Sequence, residues 1–358
     1  AIKGFAGNKN ITAASIAFKI PFVIYFFLNT KKLIFKILSY IILIAGVFAI
    51  SLIEARAAIL STMIVLVLMI IFYVYKFVFE NIDFKTVSFK IFSFVSPYVI
   101  AFVLNVFVIN FANDKYRKVA ITDTIGKISF SEESSNGRFN YWGDAWEYIK
   151  ENPILASGLG NWKIESIDKG KQHISGYTVP YHAHNDFIHV FAETGILGGL
   201  SYIGLFVMII FYIFKIFKNE YHIKREITLK RFILALPLVV YGLDALLNFP
   251  VARPLMQSSL AIYIGLILAT FLNNKQSSES IFYSIKLNRI ILGLIFILLI
   301  PSLIVHIISF KSLKQQGRFL YEFNNAKYTY TRAELDQISH NFPNLTETAM
   351  PIKAMKAR

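Results

Sequence analysis

The chain has 358 residues, 55% of them apolar and 16% charged, with no cysteine and a formal net charge of +15. Such proportions exclude an ordinary soluble domain, and the missing thiols exclude a disulfide framework and thiolate chemistry. The positive excess invites a nucleic-acid reading, but its placement follows membrane topology, so membrane lipids are the expected partner and nucleic acid is not.

Eight segments are long and apolar enough to span a hydrocarbon core, near 11–29, 36–53, 57–75, 91–111, 197–214, 232–248, 255–272 and 289–309. They are continuous and lack strand alternation, and an open sheet edge cannot be satisfied in lipid. Taken alternately, the loops 29–36, 76–90, 215–231 and 273–287 fall on one side and hold 14 Lys/Arg against 5 Asp/Glu. The long interval 113–185, on the other side, holds 9 of each. That asymmetry places the basic loops in the cytoplasm and the long interval outside. No signal peptide precedes the first span, and Ala1 reads as an internal start within something longer.

The chain approaches span one through Gly4-Phe-Ala-Gly-Asn-Lys-Asn10. Span two ends at Glu54-Ala-Arg56 and span three resumes at once, which sets Glu54 and Arg56 near the outer surface. In the outer interval, Phe139, Trp142, Ala145, Trp146 and Ile149 recur at 3–4 spacing and predict an amphipathic helix over 138–150. Asn152-Pro153 marks a break, and Gly158-Leu-Gly160-Asn161-Trp162 reads as a turn. A short helix is expected over 186–196, breaking at Gly198-Gly199 before span five. Asn248 to Pro254 forms a tight outer turn between spans six and seven. Beyond span eight, the apolar spacing of 311–358 resembles one and a half tetratricopeptide-like helical hairpins.

Chemistry concentrates in Tyr181-His182-Ala183-His184-Asn185-Asp186-Phe187. A neutral imidazole takes a proton from a hydroxyl at neutral pH, which makes His184 the candidate base. The bland alternative is a surface histidine, with Asn185 or Asp186 capping the next helix. His182, His184 and Asp186 also spell a metal-ligand spacing that His173 or His189 could complete, but Phe187 follows where such hydrolases carry another ligand, and no metal is predicted. Arg56 opens an apolar span, where a guanidinium costs a few kcal/mol unless it faces a cavity and a partner. It either pairs with Glu54 or Asp244, or clamps an anion that Arg138 reaches as well. Asp244 is placed to orient His184 or hold an arginine, Arg253 reads as an outer anchor, and Glu193 as solvated or helix-pairing. The interior charges are read as few and clustered at the outer rim, which argues against a transporter or flippase.

Together these positions resemble the O-antigen ligase and polymerase superfamily of bacterial inner-membrane glycosyltransferases. The likeness spans roughly residues 4–272 and rests on several stretches. They are the opening Gly-x-x-Gly-Asn-x-Asn, Ala55-Arg56-Ala57, Gly137-Arg138 with Trp142, Asn152-Pro-Ile-Leu-Ala-Ser-Gly-Leu-Gly-Asn161, and Ala183-His184-Asn185 running to Glu193-Thr-Gly-Ile-Leu-Gly198. The resemblance implies an all-α, polytopic, GT-C-like membrane protein with a periplasmic loop domain and a tetratricopeptide-like tail. Its parts would be 1–112 (about four spans), 113–196 (the loop domain), 197–310 (about four more spans) and 311–358 (the tail).

It further implies a metal-independent, cofactor-free, inverting transferase in the inner membrane with its site facing the periplasm. The donor would be a glycan on undecaprenyl diphosphate, and the acceptor lipid A core, a protein or a second lipid-linked glycan. Carried onto this chain, Arg56 and Arg138 would bind the diphosphate and His184 would activate the acceptor hydroxyl. His182, Asn185, Asp244, Glu54 and Arg253 remain possible supports.

Overall fold

A computed structural model describes residues 8–111, 137–170, 181–224, 227–273, 280–325, 329–339 and 351–356. The expected all-α, polytopic membrane fold is borne out. Among the described residues six stretches are long and apolar enough to cross a membrane: Lys9–Asn29, Leu33–Ile53, Arg56–Phe79, Phe84–Val108, Asp186–Asn219 and Pro254–Leu272. The chain divides into two compact units, Ala1–Asn274 and Lys275–Arg358.

In the first unit the helices are α1 (Lys9–Ala17), α2 (Ile20–Asn29), α3 (Leu33–Ile53), α4 (Arg56–Phe79) and α5 (Phe84–Phe111). They are followed by α6 (Arg138–Glu151), α7 (Trp162–Lys169), α8 (Asp186–Lys224), α9 (Leu229–Ile233), α10 (Leu236–Leu247) and α11 (Pro254–Asn273), with a 3-10 turn at Pro250–Ala252. Of the outer interval, 112–136 and 171–180 lie outside the described residues, His173 among them.

Two expected spans are each built from two helices, and proline explains both breaks. A helical proline lacks its N–H and its ring clashes with the carbonyl four residues earlier. Pro21 and Pro237 stand four residues after Ala17 and Ile233, the last residues of α1 and α9. At the second break the Tyr263 hydroxyl, on α11, donates to the Leu234 carbonyl, in the turn between α9 and α10. The first break leaves Lys19 exposed halfway along Lys9–Asn29, so charge is not confined to the rim as the sequence reading had it.

Span four is expected at 91–111 and begins earlier, as α5, with Pro97 inside it. A single core runs through the bundle, from Ile24 of α2 and Leu43 of α3 to Met69 of α4, Tyr241 of α10 and Tyr263 of α11. Many large apolar side chains of α3, α4, α5 and α8 are exposed, among them Ile41, Ile71, Val103 and Ile210. That is the surface a lipid-facing bundle presents.

The expected amphipathic helix is α6. A second, smaller core joins it to α7 and the start of α8, with Ala145, Tyr148, Trp162, Ala183 and Ala192 all buried. Trp162, 1% exposed, is the largest of them and meets the Tyr148 ring edge-on. The turn expected at 158–162 in fact leads straight into α7, whose first residue is that tryptophan.

In the second unit α12 (Ser280–Asn324) contains the eighth expected span, with Pro301 inside it. It is followed by α13 (Arg332–Gln337) and α14 (Ile352–Lys356). Thr331 and Glu334 form a capping box at α13. Ile338, Ile352 and Met355 make a small core with Leu320, Tyr330 and Leu335. Residues 340–350 lie outside the described residues.

Candidate active site

Four chain segments meet at one end of the first bundle. They are the start of α1, the Glu54-Ala55 junction between α3 and α4, the 181–186 segment with α6 against it, and the 248–253 turn.

The 181–186 segment is placed by helix capping. Asn185 is the cap of α8: its Oδ1 accepts from the Ile188 N–H at 3.2 Å, and its carbonyl from the His189 N–H at 2.9 Å. His184, immediately before it, takes a left-handed backbone with φ 55. A side chain with a Cβ rarely adopts that conformation, and such residues cluster at functional sites. Asp186 is fully buried, and its Oδ2 accepts from the Val251 N–H at 2.8 Å and the Tyr202 hydroxyl at 3.4 Å. The third member of the metal-like triplet therefore binds the 250–252 turn to α8. Among the described residues no three His, Asp or Glu side chains converge as a metal site.

The break in α8 falls at Gly195 (φ 67, ψ −167), three residues before the expected Gly198-Gly199. Those two glycines remain helical and lie beneath the side chains of Thr194 and Phe191, where a Cβ would come within 2.0 Å and 2.3 Å. A Cβ on Gly195 would lie 2.0 Å from the Ile154 carbonyl oxygen. Freed there, the chain lets Ile196 N–H donate to Pro153 O at 2.8 Å, while Ser157 donates to Ala192 O through both N–H and Oγ. The Glu193 carboxylate accepts from the backbone N–H groups of Gly160 and Trp162. Hence the 152–161 stretch, with left-handed Ala156, Gly158 and Gly160, is a brace clipped to the helix that follows the histidine segment. Glu193, read from sequence as solvated or helix-pairing, is one of its clips; it also reaches His189 Nε2 at 3.5 Å.

Phe249, a residue the sequence reading passed over as part of a turn, organises the rings. His182 stacks on it at 4.3 Å and 14°, His184 meets it edge-on at 5.1 Å, and the Arg253 guanidinium lies over it at 4.5 Å. Tyr141 of α6 stacks against the other neighbour of the cluster, His184, at 6.1 Å. Arg253, expected as an outer anchor, thus packs into the same ring cluster. His189, 5.3 Å from His182, completes a group of three imidazoles whose Nδ1 atoms are buried and have no hydrogen-bond partner among the described residues.

Arg56 and Arg138 occupy equivalent positions, each the first residue of a helix, α4 and α6. The positive end of a helix dipole disfavours a cation there and favours an anion. The arginines are close enough that Arg56 depresses the pKa of Arg138, after burial as the larger cause, while Asp244 opposes both. Arg138 Nη2 donates to Asn248 Oδ1 at 3.4 Å, and Asn248 Nδ2 donates to Asp244 Oδ1 at 2.7 Å. Glu54, left-handed at φ 57, forms the sharp junction ahead of Arg56.

Burial, then the Arg138 charge, then His182 hold the His184 imidazole down to about 4. Burial and Arg253 do the same for His182, also to about 4. Both rings are therefore neutral at pH 7, with a lone pair on each.

Fold and site together define a multi-pass helical membrane protein with a cationic, histidine-bearing site at one end of its bundle. Residues 40–203 match the sequence model of the family described as O-antigen ligase, which bears out the resemblance to that superfamily over this stretch. The match supports an enzyme of lipid-linked glycan transfer, of the ligase or polymerase type. It covers Arg56, Arg138 and His184 but stops short of Asp244, Asn248, Phe249 and Arg253. No curated protein matches the chain.

Proposed function

We propose that the protein transfers a glycan from an undecaprenyl-diphosphate donor to an acceptor hydroxyl at the periplasmic face of the inner membrane, with inversion and without a metal. Arg56 and Arg138 bind the diphosphate, and His184 takes the acceptor proton. The acceptor oxygen bonds to the anomeric carbon as the bond to the diphosphate oxygen breaks, and undecaprenyl diphosphate leaves. Negative charge grows on the leaving group, so fixed guanidinium groups favour the transition state over the ground state.

One observation carries this reading: two guanidinium groups on two helix starts act on one another, and the nearer one acts on a neutral imidazole. A diphosphate seated there offsets the repulsion between the two cations, and the anion raises the basicity of His184 as the acceptor arrives. Asn248 supports Arg138, Phe249 supports the histidines, and Asn185 sets the His184 backbone. A transport role draws some support from the two broken spans, but prolines and local hydrogen bonding account for both.

The test is to incubate purified protein with labelled undecaprenyl-diphosphate glycan and, in parallel, lipid A core, periplasmic protein or further donor. Label is expected in one acceptor class, with activity insensitive to EDTA. Label that stays on the donor in every arm would overturn the reading.

A further inference from the structure

Asn248 ends α10 and is 5% exposed. Its side chain lies between two groups of opposite charge. Nδ2 donates to Asp244 Oδ1 at 2.7 Å, while Oδ1 accepts from Arg138 Nη2 and from Asn10 Nδ2, both at 3.4 Å. The amide's orientation follows from its partners: a guanidinium only donates, so the carbonyl faces Arg138 and the NH₂ faces Asp244. The contact to Asp244 is short, whereas the two that share one oxygen are long. Asn248 is thus anchored firmly to the acid and loosely to the arginine.

An amide offers each neighbour a hydrogen bond and neutralises neither. Without it, Arg138 and Asp244, which already act on one another electrostatically, are free to close a bidentate ion pair. Such a pair would occupy the planar fork of the guanidinium and cancel the charge that a phosphate group needs. A small cleft lined by Asn10, Asp244, Asn248, Phe249 and Arg253 adjoins this point, so the amide also lies beside open space.

We propose that Asn248 is a positioning residue that keeps Arg138 from pairing with Asp244 and so reserves the guanidinium for the donor diphosphate. The proposal rests on the diphosphate reading of the site given above. Asn10 reaches the same carbonyl from α1.

The test measures binding of a fluorescent short-chain isoprenoid diphosphate to the full chain purified in detergent. The proteins compared are wild type, Asn248→Ala, Asn248→Asp, Asp244→Asn and the double variant Asn248→Ala/Asp244→Asn. Asn248→Ala is expected to weaken binding about tenfold, and the near-isosteric Asn248→Asp at least as much. Removing the carboxylate should then restore binding: the double variant is expected within about threefold of wild type, a coupling that a purely structural amide would not give. Wild-type affinity in Asn248→Ala, or a loss that Asp244→Asn leaves unrepaired, would overturn the proposal alone. Failure of the wild-type protein to bind the probe would overturn the diphosphate reading and the proposal with it.

Discussion

The His184 imidazole meets the Phe249 ring edge-on, with centroids 5.1 Å apart and planes at 82°. The same ring stacks on His182 and lies under Arg253, so one phenyl group contacts three candidate side chains. Phe249→Leu keeps the apolar bulk and removes the ring. We expect kcat to fall about tenfold, the equivalent of roughly 1.4 kcal/mol of lost positioning, with donor KM little changed. Kinetics with varied donor concentration checks the split.

The left-handed backbone at His184 separates the ring's chemistry from its conformational cost. His184→Ala and His184→Gly both remove the imidazole, and both should lose turnover by about 10²–10⁴-fold. Glycine tolerates a positive φ and alanine does not, so the Gly variant should be the more stable by about 1 kcal/mol. Thermal unfolding of the two proteins in detergent measures the difference.

Stability should also depend on pH through the same rings. His182 and His184 bind a proton only near pH 4 when folded, against an ordinary value of 6.5. Between those limits the unfolded chain binds more protons, so stability is highest above about 6.5 and is lost as pH falls toward about 4. The melting temperature should drop across that window and flatten in His182→Ala/His184→Ala. The kcat/KM profile, which reports the free enzyme, should hold its plateau well below pH 6.

Arg56 and Arg138 sit where helix dipoles oppose them, and an anion relieves that cost. Inorganic pyrophosphate should therefore raise the melting temperature of the wild-type protein, following the logarithm of its concentration over its dissociation constant. In Arg56→Gln and Arg138→Gln the shift should shrink by at least about half. Differential scanning fluorimetry with chloride at matched ionic strength provides the control.

Gly195→Ala tests the brace. Its Cβ would lie 2.0 Å from the Ile154 carbonyl oxygen at a backbone φ of 67, so the backbone itself must shift to admit it. A loss of about 3 kcal/mol or more is expected, with faster proteolysis between 152 and 162.

Much of the fold was legible because lipid imposes a plain rule: long apolar runs become helices, and Phe139, Trp142, Ala145, Trp146 and Ile149 announced α6 by their spacing. The breaks were less so. Pro21 and Pro237 lie inside apolar runs, where hydropathy hides them, although a proline's effect on the residue four earlier was available to predict both. Lys19 was hidden the same way, as one charge in a hydrophobic window. The break in α8 was assigned to the glycine pair Gly198-Gly199, yet it falls at Gly195, where a carbonyl 41 residues away, at Ile154, leaves no room for a Cβ. At the site, the residue types of His184, Arg56 and Arg138 marked them as candidates, and the fold brings them to one end of the bundle. Phe249 and Asn248 gave no such signal, since a phenylalanine and an asparagine in a turn have many uses, and only tertiary contact shows what each one holds.

The central claim is that His184 is the base for sugar transfer from a diphosphate donor held by Arg56 and Arg138. It is tested most directly by single-turnover transfer from purified lipid-linked glycan, comparing wild type with folded His184→Ala and measuring donor binding in the same samples. The account predicts donor binding retained and the transfer rate reduced by about 10²–10⁴-fold. A His184→Ala protein that binds donor and transfers glycan at the wild-type rate would contradict it.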